Sequence, residues 1–230
     1  MKFGLLHGFA ASSFTWRELV GPLGELGLVV PLERPWASVP EQIAATVGQL
    51  DRHGLDRSVL VGHSAGAEVA LGVALRAPDR VSAMILLAPV VGTGPPRMVR
   101  AVARVPGTGA VAAPVLRASL RWLAPALRSA WYDKRNVTPP IVDGYRDPLR
   151  GPGVAEALWA MTGRADGQVV VARVGEVTQP CLVIVGSQDR WTTPLPLPRA
   201  RTVVLEQCGH LPHEEQPERT LDAIRAFVRP

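Results

Sequence analysis

The 230-residue sequence predicts an α/β fold: a mostly parallel, doubly wound sheet interrupted by a helical cap insertion. Three observations lead there. Short apolar runs alternate with stretches of helical periodicity, as in successive βα units. The runs are too continuous for a sheet with one wet face, so helices should cover both sides. Finally, the segment from Gly92 to Thr178 breaks the rhythm and is too long for a plain connection.

Taken in order, the expected strands are Phe3–Leu6, Leu28–Leu32, Val59–Val61, Val81–Ala88, Leu182–Val185 and Thr202–Leu205. Ile43, Val47 and Leu50 recur at helical spacing, as do Val69, Val73 and Ala77. Leu221, Ile224 and Val228 mark a last helix introduced by Pro217-Glu218. Residues 1–91 and 179–230 are therefore assigned to the core and 92–178 to the insertion. The insertion carries partly amphipathic pieces at Arg97–Val105, Val115–Leu127 and Val154–Met161, and one run, Gln168–Val171, that reads as a strand.

Composition narrows the function. Hydrophobic residues make up 47% and charged residues 20%, as in ordinary globular proteins. The net charge of +5 suggests nucleic acid, but its distribution argues against that partner. Ten basic residues face only Asp133, Asp143 and Asp147 between Arg97 and Arg150; this local +7 leaves the rest of the chain at −2. The Phe3–Leu6 run is shorter than the ~7–15 residues of a signal-peptide core. Val81–Val91 falls short of the roughly 18 residues of a membrane span. Cys181 and Cys208 suggest small buried thiols in a reducing cytoplasm, without metal-ligand spacing. Neither a cofactor nor a metal is called for.

The chemistry concentrates at strand ends. Val59–Val61 runs into Gly62-His63-Ser64-Ala65-Gly66 and then a helix, a turn that lifts a strained serine above the sheet's carboxyl edge. A serine hydroxyl needs a base. His210 follows the Thr202–Leu205 strand through Glu206-Gln207-Cys208-Gly209 and is the candidate; His213 is its rival, read as loop scaffold. His7 is expected to be buried as a loop brace, His53 solvated, and His63 turned away from the nucleophile. Asp189 closes the run Leu182–Gln188 and is the carboxylate that would orient His210. Glu206, Glu214 and Glu215 are alternatives for that carboxylate, but are read as surface acids near the last helix. Oxyanion donors are expected at the Phe9 and Ala65 backbone N–H groups.

Together, His7-Gly8-Phe9 with Trp16, Gly62–Gly66, Gly186-Ser187-Gln188-Asp189 and Gly209–Glu218 resemble the α/β-hydrolase fold family. The resemblance is to its esterase, C–C hydrolase and cofactor-free perhydrolase-like branch. It implies the order Ser64, Asp189, His210 and reads the insertion as a variable cap. It also implies a strand pair of roughly thirty residues before the His-Gly loop, which this sequence does not have, so Leu28–Leu32 should be an edge strand shielded by something else or by a partner. In place of the family's Gly-rich, Ser-terminated turn stands Glu33-Arg34-Pro35-Trp36-Ala37-Ser38.

The functional expectation is a serine hydrolase acting on a small ester, thioester or lactone. A C–C hydrolase or lyase using the same residues, or a non-catalytic receptor, is the alternative. Aspartate-nucleophile chemistry is disfavoured by Ser64. Substrate-pocket walls are expected from Phe9, Trp131, Tyr132 and Trp159, with Trp122 and Met161 as further candidates; these aromatics could equally form the cap's own core. Arg97, Arg100 and Arg104 share a helix face that reads as solvated, or as a fork for an anionic or carrier-bound small molecule. A homodimer is possible.

Overall fold

The computed structural model describes residues 1–164, 168–197 and 199–228. In chain order the elements are β1 (Lys2–Leu6), α1 (Arg17–Gly24), β2 (Leu28–Leu32), α2 (Val39–Arg52), β3 (Ser58–His63), α3 (Ala65–Arg76) and β4 (Val81–Leu87). A helical segment follows: α4 (Arg97–Ala103), α5 (Thr108–Ser119), α6 (Leu123–Ala130), α7 (Pro139–Leu149), α8 (Val154–Gly163) and α9 (Gln168–Val171). The chain then returns through β5 (Cys181–Gly186), β6 (Ala200–Leu205), α10 (Pro212–Glu215) and α11 (Pro217–Val228).

All five strand pairings are parallel, and the sheet order is β2-β1-β3-β4-β5-β6. Alternation along the strands divides the core. Leu6, Leu60, Leu86 and Val183 face Ile43 and Leu50 of α2 and Val69 and Val73 of α3. Phe3, Leu5, Val61, Ile85 and Ile184 face Leu19 and Leu23 of α1 and Leu221 and Ile224 of α11. Both faces are dry, which is why the strands read as unbroken apolar runs. β2 forms one edge, with Pro31 in register against Leu5. A proline there removes a donor and blunts the edge for further pairing.

The order reverses between β1 and β3, because β1 sends its next strand to one side and β3 lies on the other. Such a reversal opens a crevice at the carboxyl ends of the two strands. Each of the four non-glycine residues with positive φ among the described residues follows a strand's carboxyl end: Ala10 (52°) after β1, Ser64 (52°) after β3, Ala88 (45°) after β4 and Gln207 (56°) after β6. Strain of this kind gathers where a site is held in place.

Gln168–Val171 is helical, not a strand. β4 and β5 pair directly with each other, leaving this run no strand to join, and one helical turn satisfies its backbone internally, as in the Ala172 N–H to Gln168 C=O bond of 3.0 Å. Val170, Val174 and Val177 pack into the cluster beside α2 and α3. A second small core, with Leu127, Trp131, Val137, Val142 and Tyr145, belongs to the helical segment and meets Ala11 and Leu211. No helix among the described residues is long and apolar enough to cross a membrane.

The turn after β3 depends on close approach of backbones. A Cβ on Gly66 would lie 2.1 Å from the Leu6 carbonyl oxygen and 2.6 Å from that of His7; one on Gly62 would lie 2.7 Å from the Ala67 backbone. Gly66→Ala gains about 1 kcal/mol of helix propensity. It forces β1 and α3 apart at a cost of about 3 kcal/mol. The expected result is a net loss of about 2 kcal/mol in urea unfolding; an unchanged midpoint would refute the packing argument.

Candidate active site

Ser64 sits between β3 and α3 with φ 52° and ψ −122°, torsions a side chain rarely adopts. The conformation is held from both sides: its N–H donates to the Leu87 carbonyl at 3.0 Å, and its carbonyl accepts from Ala67 at 3.0 Å and Val90 at 3.2 Å. The hydroxyl lies 3.0 Å from His210 Nε2, and His210 Nδ1 lies 2.9 Å from Asp189 Oδ2. An ionised carboxylate only accepts, so Nδ1 carries the ring proton of the neutral imidazole. Nε2 is then the acceptor for the serine O–H.

Asp189 is held by more than His210. The Trp191 N–H donates to Oδ1 at 2.8 Å and the Thr192 hydroxyl donates to Oδ2. Its side chain is 1% exposed. Burial opposes the charge, but the bonds from His210, Thr192 and Trp191 outweigh it and hold the carboxyl below its ordinary range. The Trp191 ring stands edge-on to the His210 ring, with centroids 4.9 Å apart.

The other histidines have structural places. His7 is buried, bonded through Nδ1 to the Gly8 carbonyl at 2.9 Å, and lowered to about 4 by burial and by Arg34. His63 donates from Nε2 to the His210 carbonyl at 2.9 Å; burial, followed by the neighbouring His210, lowers it to about 3. His213 stacks on Trp16 and His63 and meets the Thr15 hydroxyl at 2.8 Å. His53 caps α2 in solvent. His210 is thus the histidine whose two ring nitrogens face a carboxylate and a serine.

Glu214 and Glu215, read as surface acids, are not. Glu215 braces the His210 loop: Oε1 accepts from Gly209 N–H at 2.9 Å and Leu211 N–H at 3.2 Å, while Oε2 accepts from Tyr132 N–H at 2.7 Å. The His210 N–H is itself tied to the Ala130 carbonyl at 2.7 Å. Glu214 is buried and paired with Arg17 at 2.6 Å, and it accepts from the Thr15 and Tyr145 hydroxyls. Apart from Gly209 and Leu211, these partners lie far away in sequence, so no local pattern announces them.

Two cavities meet at Ser64. One, of about 490 Å³, is walled by Ala11, Leu123, Leu127, Tyr145 and Trp191. The other, of about 440 Å³, is walled by Arg34, Gln42, Glu68, Met161 and Arg164. Phe9 and Ser64 border both. Trp131, Tyr132 and Trp159 border neither. Trp131 is buried inside the helical segment's own core, Tyr132 is 47% exposed, and Trp159 Nε1 donates to Thr108 Oγ1 at 3.1 Å. Trp122 is 61% exposed. Arg97, Arg100 and Arg104 border neither cavity, and Arg104 Nε donates to the Gly163 carbonyl at 2.8 Å. Among the described residues, neither the Phe9 nor the Ala65 N–H donates to a backbone carbonyl. A Cβ on Gly8 would lie 3.2 Å from Ser64 Cβ, so the loop carrying Phe9 runs directly beside the serine.

A fold with this strand order, carrying a serine, an aspartate and a histidine on the carboxyl-edge loops after β3, β5 and β6, defines a class. The chain belongs to the alpha/beta hydrolase family, whose family model matches residues 5–223, and it is a hydrolase of that fold. It is 24% identical to an uncharacterized hydrolase, YugF, of Bacillus subtilis, over 97% of this chain and 88% of that one. To the 2-hydroxy-6-oxo-6-phenylhexa-2,4-dienoate hydrolase of Comamonas testosteroni it is 29% identical, over 90% and 80% of the two chains. Among solved structures it is similar to a thermophilic esterase from Thermogutta terrifontis, with a TM-score of 0.78 and 22% identity over 100% of this chain and 89% of that one.

Proposed function

We propose that the protein is a serine hydrolase that cleaves a small carboxylic ester, thioester or lactone through an acyl-enzyme. The observation that carries this reading is the hydrogen-bonded line Ser64 Oγ–His210–Asp189, at 3.0 and 2.9 Å. His210 Nε2 removes the serine proton as Oγ attacks the acyl carbon, and Asp189 stabilises the imidazolium that results. The Phe9 and Ala65 N–H groups take the oxyanion. His210 then protonates the departing oxygen or sulfur, and the same residue activates the water that releases the acid.

The helical segment acts as a cap over the two cavities. The larger takes the apolar part of the substrate, and the one bordered by Arg34 and Glu68 takes the polar part. Opposite charges side by side there favour a hydrogen-bonding group over an anion. The Comamonas relative keeps C–C bond hydrolysis as a second reading, with His210 moving substrate protons. The buried free thiols Cys181 and Cys208, both pushed up to about 12 by burial, support a reducing cytoplasm.

A fluorophosphonate probe tests the reading. Stoichiometric labelling mapped to Ser64, abolished in His210→Ala, is the expected result. Absence of labelling would overturn it and favour a receptor that uses the fold without chemistry. A panel of p-nitrophenyl esters against vinylogous diketones then separates ester from C–C hydrolysis.

A further inference from the structure

Helix α4 wears its apolar side outward. No residue of it is buried. The shielded positions are Arg100 and Ala103, where the Ala103 backbone abuts Gly163 of α8. Met98 and Val102, one turn apart on α4, are 79 and 47% exposed, and Val105 just past its end is 55% exposed. The neighbouring α5, packed on the same α8, repeats the pattern. Val111 and Val115 are 73 and 63% exposed, and their stripe continues through Ala118 to Trp122 in the 3-10 turn Leu120–Trp122. A helix of a water-surrounded domain places its apolar stripe inward. α4 reverses this rule, and α5, which turns Ala113 and Leu116 inward, carries a second apolar stripe outside; together they mark an interaction surface.

The charge around these stripes identifies what covers them. From Arg97 to Tyr132 the chain holds six arginines and not one acidic residue; Arg117 pairs with Glu156 of α8, while Arg97, Arg121 and Arg128 stand exposed. A second copy would bring the same positive excess to the seam. An acidic protein would pair the arginines yet leave two convex aliphatic stripes without grooves to fill. A bilayer with anionic headgroups meets both features at once, taking Val, Met and Trp into the acyl boundary and the exposed guanidinium groups of Arg97, Arg121 and Arg128 onto phosphates.

We propose that α4, α5 and the Trp122 turn dock the protein onto an anionic phospholipid bilayer, lying in the headgroup plane without crossing it. Trp122 leads directly into α6, whose Leu123, Ala126 and Leu127 wall the larger cavity. Docking therefore brings α6, and with it one wall of the larger cavity, next to the lipid. The inference goes beyond the reaction and does not depend on it.

Co-sedimentation of the full chain with vesicles supplies the test. Vesicles of phosphatidylcholine mixed with phosphatidylglycerol should bind at least about tenfold more tightly than phosphatidylcholine alone, and added NaCl should weaken the binding. Met98→Asp with Val115→Asp, both at exposed positions, should lower the partition coefficient at least about tenfold with thermal unfolding unchanged. Three results would each overturn the proposal: no binding to mixed vesicles, undiminished binding of the double variant, or gel filtration in which those substitutions dissolve a dimer. Capture of an acidic carrier protein with no vesicle binding would also overturn it.

Discussion

Ser64→Ala is expected to lower kcat for an activated ester by about 10⁴- to 10⁶-fold. That corresponds to roughly 5–8 kcal/mol of transition-state stabilisation. Stability should hardly move, because the torsions of 52° and −122° are imposed by the bonds to Leu87, Ala67 and Val90, and alanine must adopt them too. Ser64→Gly separates the two effects. It loses the same activity but relieves about 1 kcal/mol or more of backbone strain, so its urea midpoint should rise. Asp189→Asn keeps the shape but disturbs the His210 tautomer, costing about 10⁴-fold. Since the three groups act as a unit, Ser64→Ala with His210→Ala should be no slower than Ser64→Ala alone. A Ser64→Ala enzyme within tenfold of wild type would remove the serine from the chemistry.

Much of this was legible because the residues concerned sit where periodicity changes. Ser64, Asp189 and His210 each follow an apolar run within a few positions, and a run buried on both faces is the most readable strand there is. Gly62 was readable for the same local reason, since it meets Ala67 backbone that the turn itself brings near, whereas Gly66 is required by the distant Leu6 and His7 carbonyls. What escaped was tertiary. Residue type leaves Trp131, Tyr132 and Trp159 open as pocket walls or as the helical segment's own core; the cavity walls are set by how α6 and α7 pack, and that packing puts Trp131 in the core and Leu123, Leu127 and Tyr145 in the cavity that Ser64 borders. Gln168–Val171 misled through its β-branched valines, because propensity says nothing about whether a strand partner exists. Glu214 and Glu215 misled because isolated acids default to the surface; Glu214's hydroxyl partners, Thr15 and Tyr145, lie 199 and 69 positions away, and Glu215's link to Tyr132 spans 83.

Arg17→Leu is expected to be the most destabilising of the surface-reachable substitutions, by about 3–5 kcal/mol at pH 8, because it strands the buried Glu214 carboxylate. Burial raises the Glu214 carboxyl above its ordinary 4.5; attraction to Arg17 and the Tyr145 and Thr15 hydroxyl bonds offset only part of this. The folded protein therefore holds this proton more tightly than the unfolded chain does. The unfavourable contribution vanishes below about pH 4.5, grows as pH rises towards the folded value, and is complete above it. Loss of Arg17 lifts the folded value further and widens that window upward. The deficit of Arg17→Leu relative to wild type should thus shrink steadily from pH 8 to pH 5 in urea unfolding. A part will remain at every pH, since the Arg17 guanidinium also lies 4.5 Å over the Phe14 ring, a contact worth about 0.5–1 kcal/mol. Adding Glu214→Gln keeps an acceptor for Thr15 and Tyr145 and removes the charge, so the double variant should recover most of the loss and become nearly flat with pH. A deficit that deepens on acidification would mean that Arg17 serves the fold through something other than this carboxylate. Because Tyr145 walls the larger cavity and Glu214 precedes the brace Glu215, the same variants should also loosen substrate binding, raising KM more than they lower kcat.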